Sequence, residues 1–225
     1  ETLEDALLEL AELNESGVTE AILTPHYIRN VFENNRKSCN DTFNLLKLKL
    51  TEQNLNIKIH QGNEIYLDNN IWEDIKQNNL QLADTDYILI ETGFSGFPDN
   101  LSYILTQLTR KGYKPILAHP ERYDEIVNNN DIAEDLISRN VYLQMNVGSF
   151  LGYYGIQVQR TALQLLKRKL VHFLGSDTHC NREYYFFSEA LKTIAHHTDD
   201  DFIKLITIIN PRKLLNNQPI EYINN

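Results

Sequence analysis

Imidazole and carboxylate side chains recur along this 225-residue chain at points where short apolar runs stop. Three are histidines and three are acids: His26, Glu64, Glu91, His119, Asp177 and His179. A mixed set of nitrogen and oxygen ligands suits Mn, Fe or Zn better than Ca or Mg alone. Cations held there could polarise phosphoryl oxygens and generate hydroxide from water near neutral pH. We therefore predict a hydrolytic metal centre, with Arg122 and Arg182 gripping the phosphate in bidentate fashion.

Each of these motifs also has an ordinary structural explanation. The Asp of SDTH could cap a helix, and the prolines of TPH and AHPER could simply end a strand or set a turn. Glu64 and Glu91 differ, because an unpaired carboxylate in an apolar run is costly and demands a partner. That partner could be Lys or Arg rather than a metal ion. The combination of all six residues favours the metal.

Cys180 raises a different mechanism, in which a thiolate in an H-C-x5-R loop attacks phosphorus. The position that requires Arg holds Phe186, so the sequence argues against this mechanism. The remaining histidines have no matching context and are predicted to be structural or exposed: His60, His172, His196 and His197. Four tyrosines could help to accept an aromatic substrate, with packing or surface roles as the alternative: Tyr66, Tyr123, Tyr153 and Tyr154.

Short apolar runs that read as β-strands lead to these polar residues. There are six: VTEAILTPH, IKIHQGNEIY, YILIET, KPILAHPER, VYLQMNVGS and VHFLGSDTH. Helical patterns are predicted at about residues 2–13, 41–53, 70–76, 101–111, 132–138, 158–169 and 188–196. Strand followed by helix predicts parallel strands in a barrel or a doubly wound sheet. In a barrel the carboxyl ends of the strands meet on one face, so these polar residues, with Asn146, would share one pocket.

The amino-acid composition narrows the classes of partner that we expect this protein to bind. A net charge of −10 disfavours nucleic acid or an anionic membrane surface as a general partner. A phosphorylated substrate then needs a local positive site, which bound cations would supply. Two cysteines without a C-x-x-C motif predict a reducing, cytoplasmic setting. No apolar run approaches the roughly 18 residues of a membrane span, and one domain is a better expectation than two small ones.

In order and spacing, TPHY, GNEIY, LIET, AHPERY, QMNVGS and GSDTHCNR closely resemble the bacterial manganese-dependent tyrosine-protein phosphatases of capsule and exopolysaccharide operons. These belong to the PHP (polymerase and histidinol phosphatase) superfamily. The resemblance implies a single PHP domain over residues 1–225 with a distorted (β/α)7 TIM-like barrel. It implies up to three ions, Mn²⁺ first, with Fe or Zn as alternatives. It also implies that the substrate is phosphotyrosine of a partner tyrosine autokinase that controls polysaccharide export.

The resemblance further implies how the ligands divide among the ions. Glu64, Glu91 and His119 would hold one ion, with Glu64 bridging to a second that Asp177 helps to hold. The third ion would have two ligands in this sequence, His26 and His179. The family pattern begins with a strand carrying H-x-H and a D-D-G-type loop, and nothing here corresponds. We therefore expect the first barrel strand to be missing from this chain, and the natural protein to continue upstream by roughly 10 to 20 residues.

Two other functions stay open. The same scaffold could serve a histidinol phosphatase or another small phosphomonoesterase, and the missing H-x-H suggests a non-catalytic barrel that binds an autokinase. A nuclease of this superfamily is disfavoured because the chain has no basic stripe. The sequence leaves the ion's identity and any oligomerisation open.

Overall fold

The computed structural model describes residues 2–69, 71–178 and 186–221. The strands are β1 (Glu20–Leu23), β2 (His26–Ile28), β3 (Phe32–Glu33), β4 (Lys58–Gln61), β5 (Glu64–Tyr66), β6 (Tyr87–Glu91), β7 (Lys114–Ala118), β8 (Tyr142–Asn146) and β9 (Phe173–Gly175). The helices are α1 (Leu3–Glu15), α2 (Asn40–Glu52), α3 (Ile71–Asn78), α4 (Leu101–Arg110), α5 (Asp124–Asn128), α6 (Asp131–Ser138), α7 (Val147–Phe150), α8 (Ile156–Lys167), α9 (Phe186–Ala195), α10 (Asp200–Lys204) and α11 (Asn210–Leu215).

The fold is mixed α/β, built on a mainly parallel sheet. Seven strands pair in the order β3-β2-β5-β6-β7-β8-β9, and β1 pairs with β4 in a second, two-stranded parallel sheet. The parallel strands are connected through helices, as the alternation in the sequence predicts. Within the described residues, no helix combines the length and hydrophobicity that crossing a bilayer demands.

The first two predicted strands are each interrupted, which is a correction to the prediction. β1 and β2 are separated by Thr24 and Pro25, and β4 and β5 by Gly62 and Asn63. Backbone bonds continue across the gap, since Gly62 N donates to the carbonyl of Leu23 and Glu64 N to that of Pro25. Proline has no N–H to give to a ladder. A Cβ at position 62 would lie 2.8 Å from Leu82 Cδ2 and 2.9 Å from Ile22 Cγ2, so any larger residue there would require both side chains to shift.

The strand-then-helix order is also broken once. β2 turns back into β3, and the two pair antiparallel with Tyr27 opposite Glu33. β3 has only two residues, too few for the alternation that marks a strand in a sequence. The seven predicted helices are present. The four- to six-residue helices α5, α7, α10 and α11 were not predicted, because they are too short to show a helical period.

Alternate residues of the central strands pack into different layers. Tyr87, Leu89, Ile116, Tyr142 and Phe173 point to an inner cluster that also holds residues of the C-terminal segment. Their neighbours along the strands pack outwards against the helices. Because side chains alternate with period two, this parity also decides which strand-end residues face inwards. Glu91 continues the inward series of β6, and Asn146 continues that of β8.

Candidate metal centre and phosphate site

His26, Glu64 and Glu91 form a compact group at one end of the sheet. Their ligand atoms all lie within 4.8 Å of one another. His26 and Glu64 are paired residues of β2 and β5, and Glu91 is the last residue of β6. Nδ1 of His26 lies 2.9 Å from Oε1 of Glu91 and 4.0 Å from Oε2 of Glu64. His26 and Glu64 begin their strands instead of ending them, because the preceding strand stops before each of them, with two residues in between.

His119 completes this group from β7. Its Nε2 lies 2.8 Å from Oε1 of Glu64 and 3.9 Å from Oε2 of Glu91. The residue follows the last residue of β7 with φ of 37°, a left-handed conformation that is uncommon outside glycine. Such backbone strain persists where the surrounding structure fixes it, and it occurs often at functional sites. Here it brings the imidazole into contact with both carboxylates.

The two carboxylates make the electrostatic environment of this group strongly negative. The hydrogen bond to Glu91 raises the pKa of His26 to about 8, even though burial opposes the shift. For His119, burial acts to lower the pKa, but the hydrogen bond to Glu64 and the nearby acids raise it overall. Protons on the two histidines therefore occupy a position where positive charge is stabilised.

The same features suit a divalent cation. Glu64 and Glu91 are both buried, and their partners in the group are histidines. The salt bridge to Lys or Arg that the sequence left open is not what the described residues show around these acids. One imidazole and two carboxylates close together, with the second imidazole in contact with both carboxylates, match the ligands of Mn, Fe or Zn. The residues present thus fit a transition-metal ion.

Asp177 and Arg122 lie beside this group. Nη1 of Arg122 donates to Oδ2 of Asp177 at 3.0 Å, and Nδ2 of Asn146 donates to the same oxygen. The guanidinium carbon of Arg122 lies 4.4 Å from the centre of the Phe94 ring and 4.2 Å from that of Tyr154. An arginine fixed in this way presents its remaining N–H groups in a rigid fork that matches phosphate oxygens.

One cavity of about 710 Å³ connects these residues. Five of the predicted site residues line it: His26, Glu91, His119, Arg122 and Asp177. Glu64 is buried beside them through its contacts with His26 and His119. The other two predicted site residues, His179 and Arg182, lie outside the described residues, as does Cys180.

A family model for capsular polysaccharide synthesis, CpsB/CapC, matches residues 1–216. The chain belongs to the CpsB/CapC family. The tyrosine-protein phosphatase YwqE of Bacillus subtilis (strain 168) is 31% identical over 206 residues, which cover 91% of this chain and 81% of that protein. The tyrosine-protein phosphatase CpsB of Streptococcus agalactiae serotype III is 25% identical and covers 97% of this chain and 93% of its own length.

A solved structure is similar over almost the whole of this CpsB/CapC chain. It comes from work on YwqE of Bacillus subtilis and CpsB of Streptococcus pneumoniae, named there as unique metal-dependent tyrosine phosphatases. The TM-score is 0.89 at 29% sequence identity, with 97% of this chain and 89% of the other covered.

Sequence reasoning missed Glu121 as part of this CpsB/CapC site. The side chain is fully buried, and its Oε1 accepts hydrogen bonds from the backbone N of Asn146 and from Oγ of Ser149. Burial raises the pKa of the Glu121 carboxyl. An acid in a turn after proline is usually exposed, so the AHPER motif gave no sign of this role. Its contacts hold the residue that in turn binds Asp177.

Gln144 extends the same support. Its Nε2 donates to Oδ1 of Asn146 at 3.0 Å, which orients the Asn146 amide so that its nitrogen faces Asp177. The side chain lies over Gly175, where any Cβ would collide with it. The period-two spacing of Gln144 and Asn146 is the signal that could have identified this pair.

The tyrosines and the other histidines singled out from the sequence lie in different surroundings. Tyr66, Tyr153 and Tyr154 line the cavity, whereas Tyr123 is buried and its hydroxyl accepts a bond from Thr92 N. Nε2 of His60 lies 3.0 Å from Oε2 of Glu20, and the side chain of His172 is buried.

Proposed function

We propose that this chain is a metal-dependent protein-tyrosine phosphatase that removes phosphate from tyrosines of a bacterial autokinase. Through that reaction it would regulate capsular and exopolysaccharide synthesis in the cytoplasm. The observation that carries the proposal is one cavity that brings His26, Glu91 and His119, with Glu64 buried behind them, next to a fixed arginine. The similarity to proteins named as metal-dependent tyrosine phosphatases supports the substrate class.

The proposed ions are Mn²⁺, up to three of them, with Fe or Zn as alternatives. Glu64, Glu91 and His119 would hold one, His26 and His179 another, and Glu64 with Asp177 a third. Bound divalent cations supply positive charge to polarise a phosphoryl oxygen and lower the pKa of water to near neutral.

The residues of the chain itself would bind and orient the substrate. Arg122 would grip two phosphate oxygens in a bidentate contact, with Arg182 as the second arginine. The rings of Phe94 and Tyr154 prevent the Arg122 guanidinium from swinging away, and Asp177 fixes it in the plane. Holding the phosphate in a single orientation lowers the entropic cost of an in-line attack.

We also propose that residues 1–225 form one domain of the PHP type, a distorted (β/α)7 barrel that one further strand would complete. β1 and β9 are the edges that such a strand would join. Residues of both, including Ala21 and Leu174, line a second cavity of about 420 Å³ between them. A strand carrying H-x-H placed there would add ligands to the same end of the sheet.

The test is hydrolysis of p-nitrophenyl phosphate and a phosphotyrosyl peptide by the protein supplied with Mn²⁺. We expect turnover that a chelator removes, and no turnover above background for His119→Ala or Asp177→Ala. Activity that survives chelation, or that these changes leave intact, would rule the proposal out. Faster turnover of histidinol phosphate than of the peptide would indicate the small-molecule alternative. Absence of bound transition metal would indicate the non-catalytic one.

A further inference from the structure

Aromatic side chains are concentrated at the mouth of the 710 Å³ cavity. Six of them line it: Phe32, Tyr66, Phe94, Tyr153, Tyr154 and Phe187. Four of these six are unusually exposed for large apolar residues, from 38% for Tyr66 to 54% for Phe32. Single exposed aromatics are ordinary, but a cluster around a polar site marks a surface that binds something.

Phe94 is held by contacts with three neighbouring side chains. Its ring centre lies 5.2 Å from that of His119, 5.6 Å from that of Tyr123 and 4.4 Å from the Arg122 guanidinium. It nonetheless keeps 39% of its surface exposed. One ring thus contacts a candidate metal ligand and the candidate phosphate-binding arginine while presenting a free surface to the cavity.

Small residues keep the space beside the rings open. A Cβ at Gly93 would lie 3.5 Å from the hydroxyl of Tyr66, and one at Gly148 would lie 3.4 Å from the Tyr153 ring. A phosphate bound at Arg122 would lie next to these rings, because the guanidinium carbon is 4.4 Å from the centre of the Phe94 ring and 4.2 Å from that of Tyr154. A phenyl ring attached to that phosphate can stack on an aromatic side chain, whereas a serine or threonine side chain has no ring to stack.

We infer that Phe94, with Tyr66 and Tyr153, forms a subsite for the phenyl ring of an aryl phosphate, so that this chain selects phosphotyrosine over phosphoserine by ring contact. This inference rests on the proposed phosphatase function and adds the residues that would set its selectivity. Aromatic pairs contribute about 0.5–1.5 kcal/mol beyond their buried area, or roughly twofold to tenfold in binding.

The decisive variant is Phe94→Leu, which keeps an apolar side chain but removes the ring. The quantity to measure is kcat/KM for one peptide phosphorylated on Tyr, divided by kcat/KM for the same peptide phosphorylated on Ser. We expect this ratio to fall about twofold to tenfold relative to the unmodified protein. Comparing ratios cancels both the intrinsic reactivity of aryl esters and any general effect on Arg122.

Two matched controls accompany it. Phe97→Leu alters a nearby ring that packs on Tyr123 but does not line the cavity. Tyr103→Leu, on the exposed surface of α4, matches a Tyr153→Leu variant. The ratio should stay unchanged in both controls and fall in Tyr153→Leu. Equal loss for both peptides in Phe94→Leu, or an unchanged ratio, would overturn the subsite.

A binding measurement separates failure of the subsite from failure of the function. Inorganic phosphate and phenylphosphonate are titrated into the Mn²⁺-supplied protein by calorimetry. Phe94→Leu should weaken phenylphosphonate about twofold to tenfold and leave phosphate unchanged. If the unmodified protein hydrolyses neither peptide, the proposed function fails, and this comparison alone decides the subsite. Parallel weakening of both ligands, or of neither, overturns it.

Discussion

His119 and His172 are both buried histidines, yet their pKa values move in opposite directions. At the cavity end of the sheet, contact with Glu64 and the nearby acids raises the pKa of His119 despite its burial. Next to the inner apolar cluster, burial lowers the pKa of His172 to about 4. There Nδ1 of His172 accepts a bond from Leu143 N, which requires a neutral nitrogen, and Tyr142 packs against the ring.

The difference separates a site that attracts positive charge from a region that excludes it. Burial alone cannot identify a functional histidine, since His119 and His172 are buried to a similar extent. The carboxylates around the ring decide the matter. A region whose acids stabilise protons on its histidines in the absence of metal is one that can exchange those protons for a cation.

The largest expected effect comes from making the surroundings of His119 more like those of His172. Glu64→Gln removes the charge 2.8 Å from His119 Nε2 while keeping the side-chain shape. We expect loss of bound metal and a fall in kcat of more than about 1,000-fold, since metal ions contribute several kcal/mol to such reactions. Elemental analysis and phosphatase assays measure both. Glu52→Gln, on the exposed face of α2, should change neither, and a metal-replete, active Glu64→Gln would show that Glu64 is not a ligand.

The second prediction concerns the free energy of unfolding and its dependence on His172, the histidine in apolar surroundings. Between pH 6.5 and about 4 the unfolded chain protonates His172 while the folded protein does not. The unfolded state then binds more protons, so the free energy of unfolding falls as the pH drops through this window. The contribution of His172 between pH 7.5 and 5 is on the order of 2 kcal/mol.

Urea unfolding in chelator at pH 7.5 and pH 5 measures that contribution. His172→Asn keeps an acceptor for Leu143 N without the titrating ring, so its stability should depend less on pH over this range. His196→Asn changes an exposed histidine and should follow the unmodified protein. Equal pH dependence in His172→Asn would mean that His172 is not kept neutral by the fold.

The inward position of Glu91 can be predicted from the sequence, because side chains alternate along a strand. Tyr87, Leu89 and Glu91 alternate along one apolar run, so an acid at its end must join the inner face. Parity alone would place His119 on the outer face, because Ile116 and Ala118 are the inward residues of β7. The sequence showed only that an apolar run stops at His119. It could not place His26 and Glu64 correctly, since the interruptions at Pro25 and Gly62 depend on how closely distant segments approach.

Other features depend on contacts that no local pattern records. The β2–β3 hairpin rests on a two-residue strand, and the left-handed conformation of His119 follows from the packing around it. Phe94 is an ordinary loop residue until Arg122, 28 positions later, lies against its ring. Glu121 is the clearest case, because its burial arises only when β8 and α7 close over the turn.

The smallest predicted effect concerns how Glu121 supports the candidate metal centre and phosphate site. Glu121→Gln keeps the Oε1 acceptor for Asn146 N and Ser149 Oγ, whereas Glu121→Leu leaves both donors without it. Loss of support behind groups that bind metal or phosphate costs about 10–100-fold, and we place Glu121→Leu near tenfold in kcat/KM. Glu121→Gln should stay within about threefold, because hydrogen bonding and not charge would be its contribution.

Metal titration and phosphatase assays of both Glu121 variants distinguish positioning from charge. Ser149→Ala removes one of the two donors and should resemble Glu121→Gln more than Glu121→Leu, since Asn146 N stays bound. If Glu121→Gln is as damaging as Glu121→Leu, the carboxylate acts through its charge, and Glu121 belongs with Glu64 among the acids that attract the cation. If neither change affects turnover, the contacts from Glu121 to Asn146 stabilise the fold only, and Asp177 is held well enough by Arg122 and the Asn146 side chain.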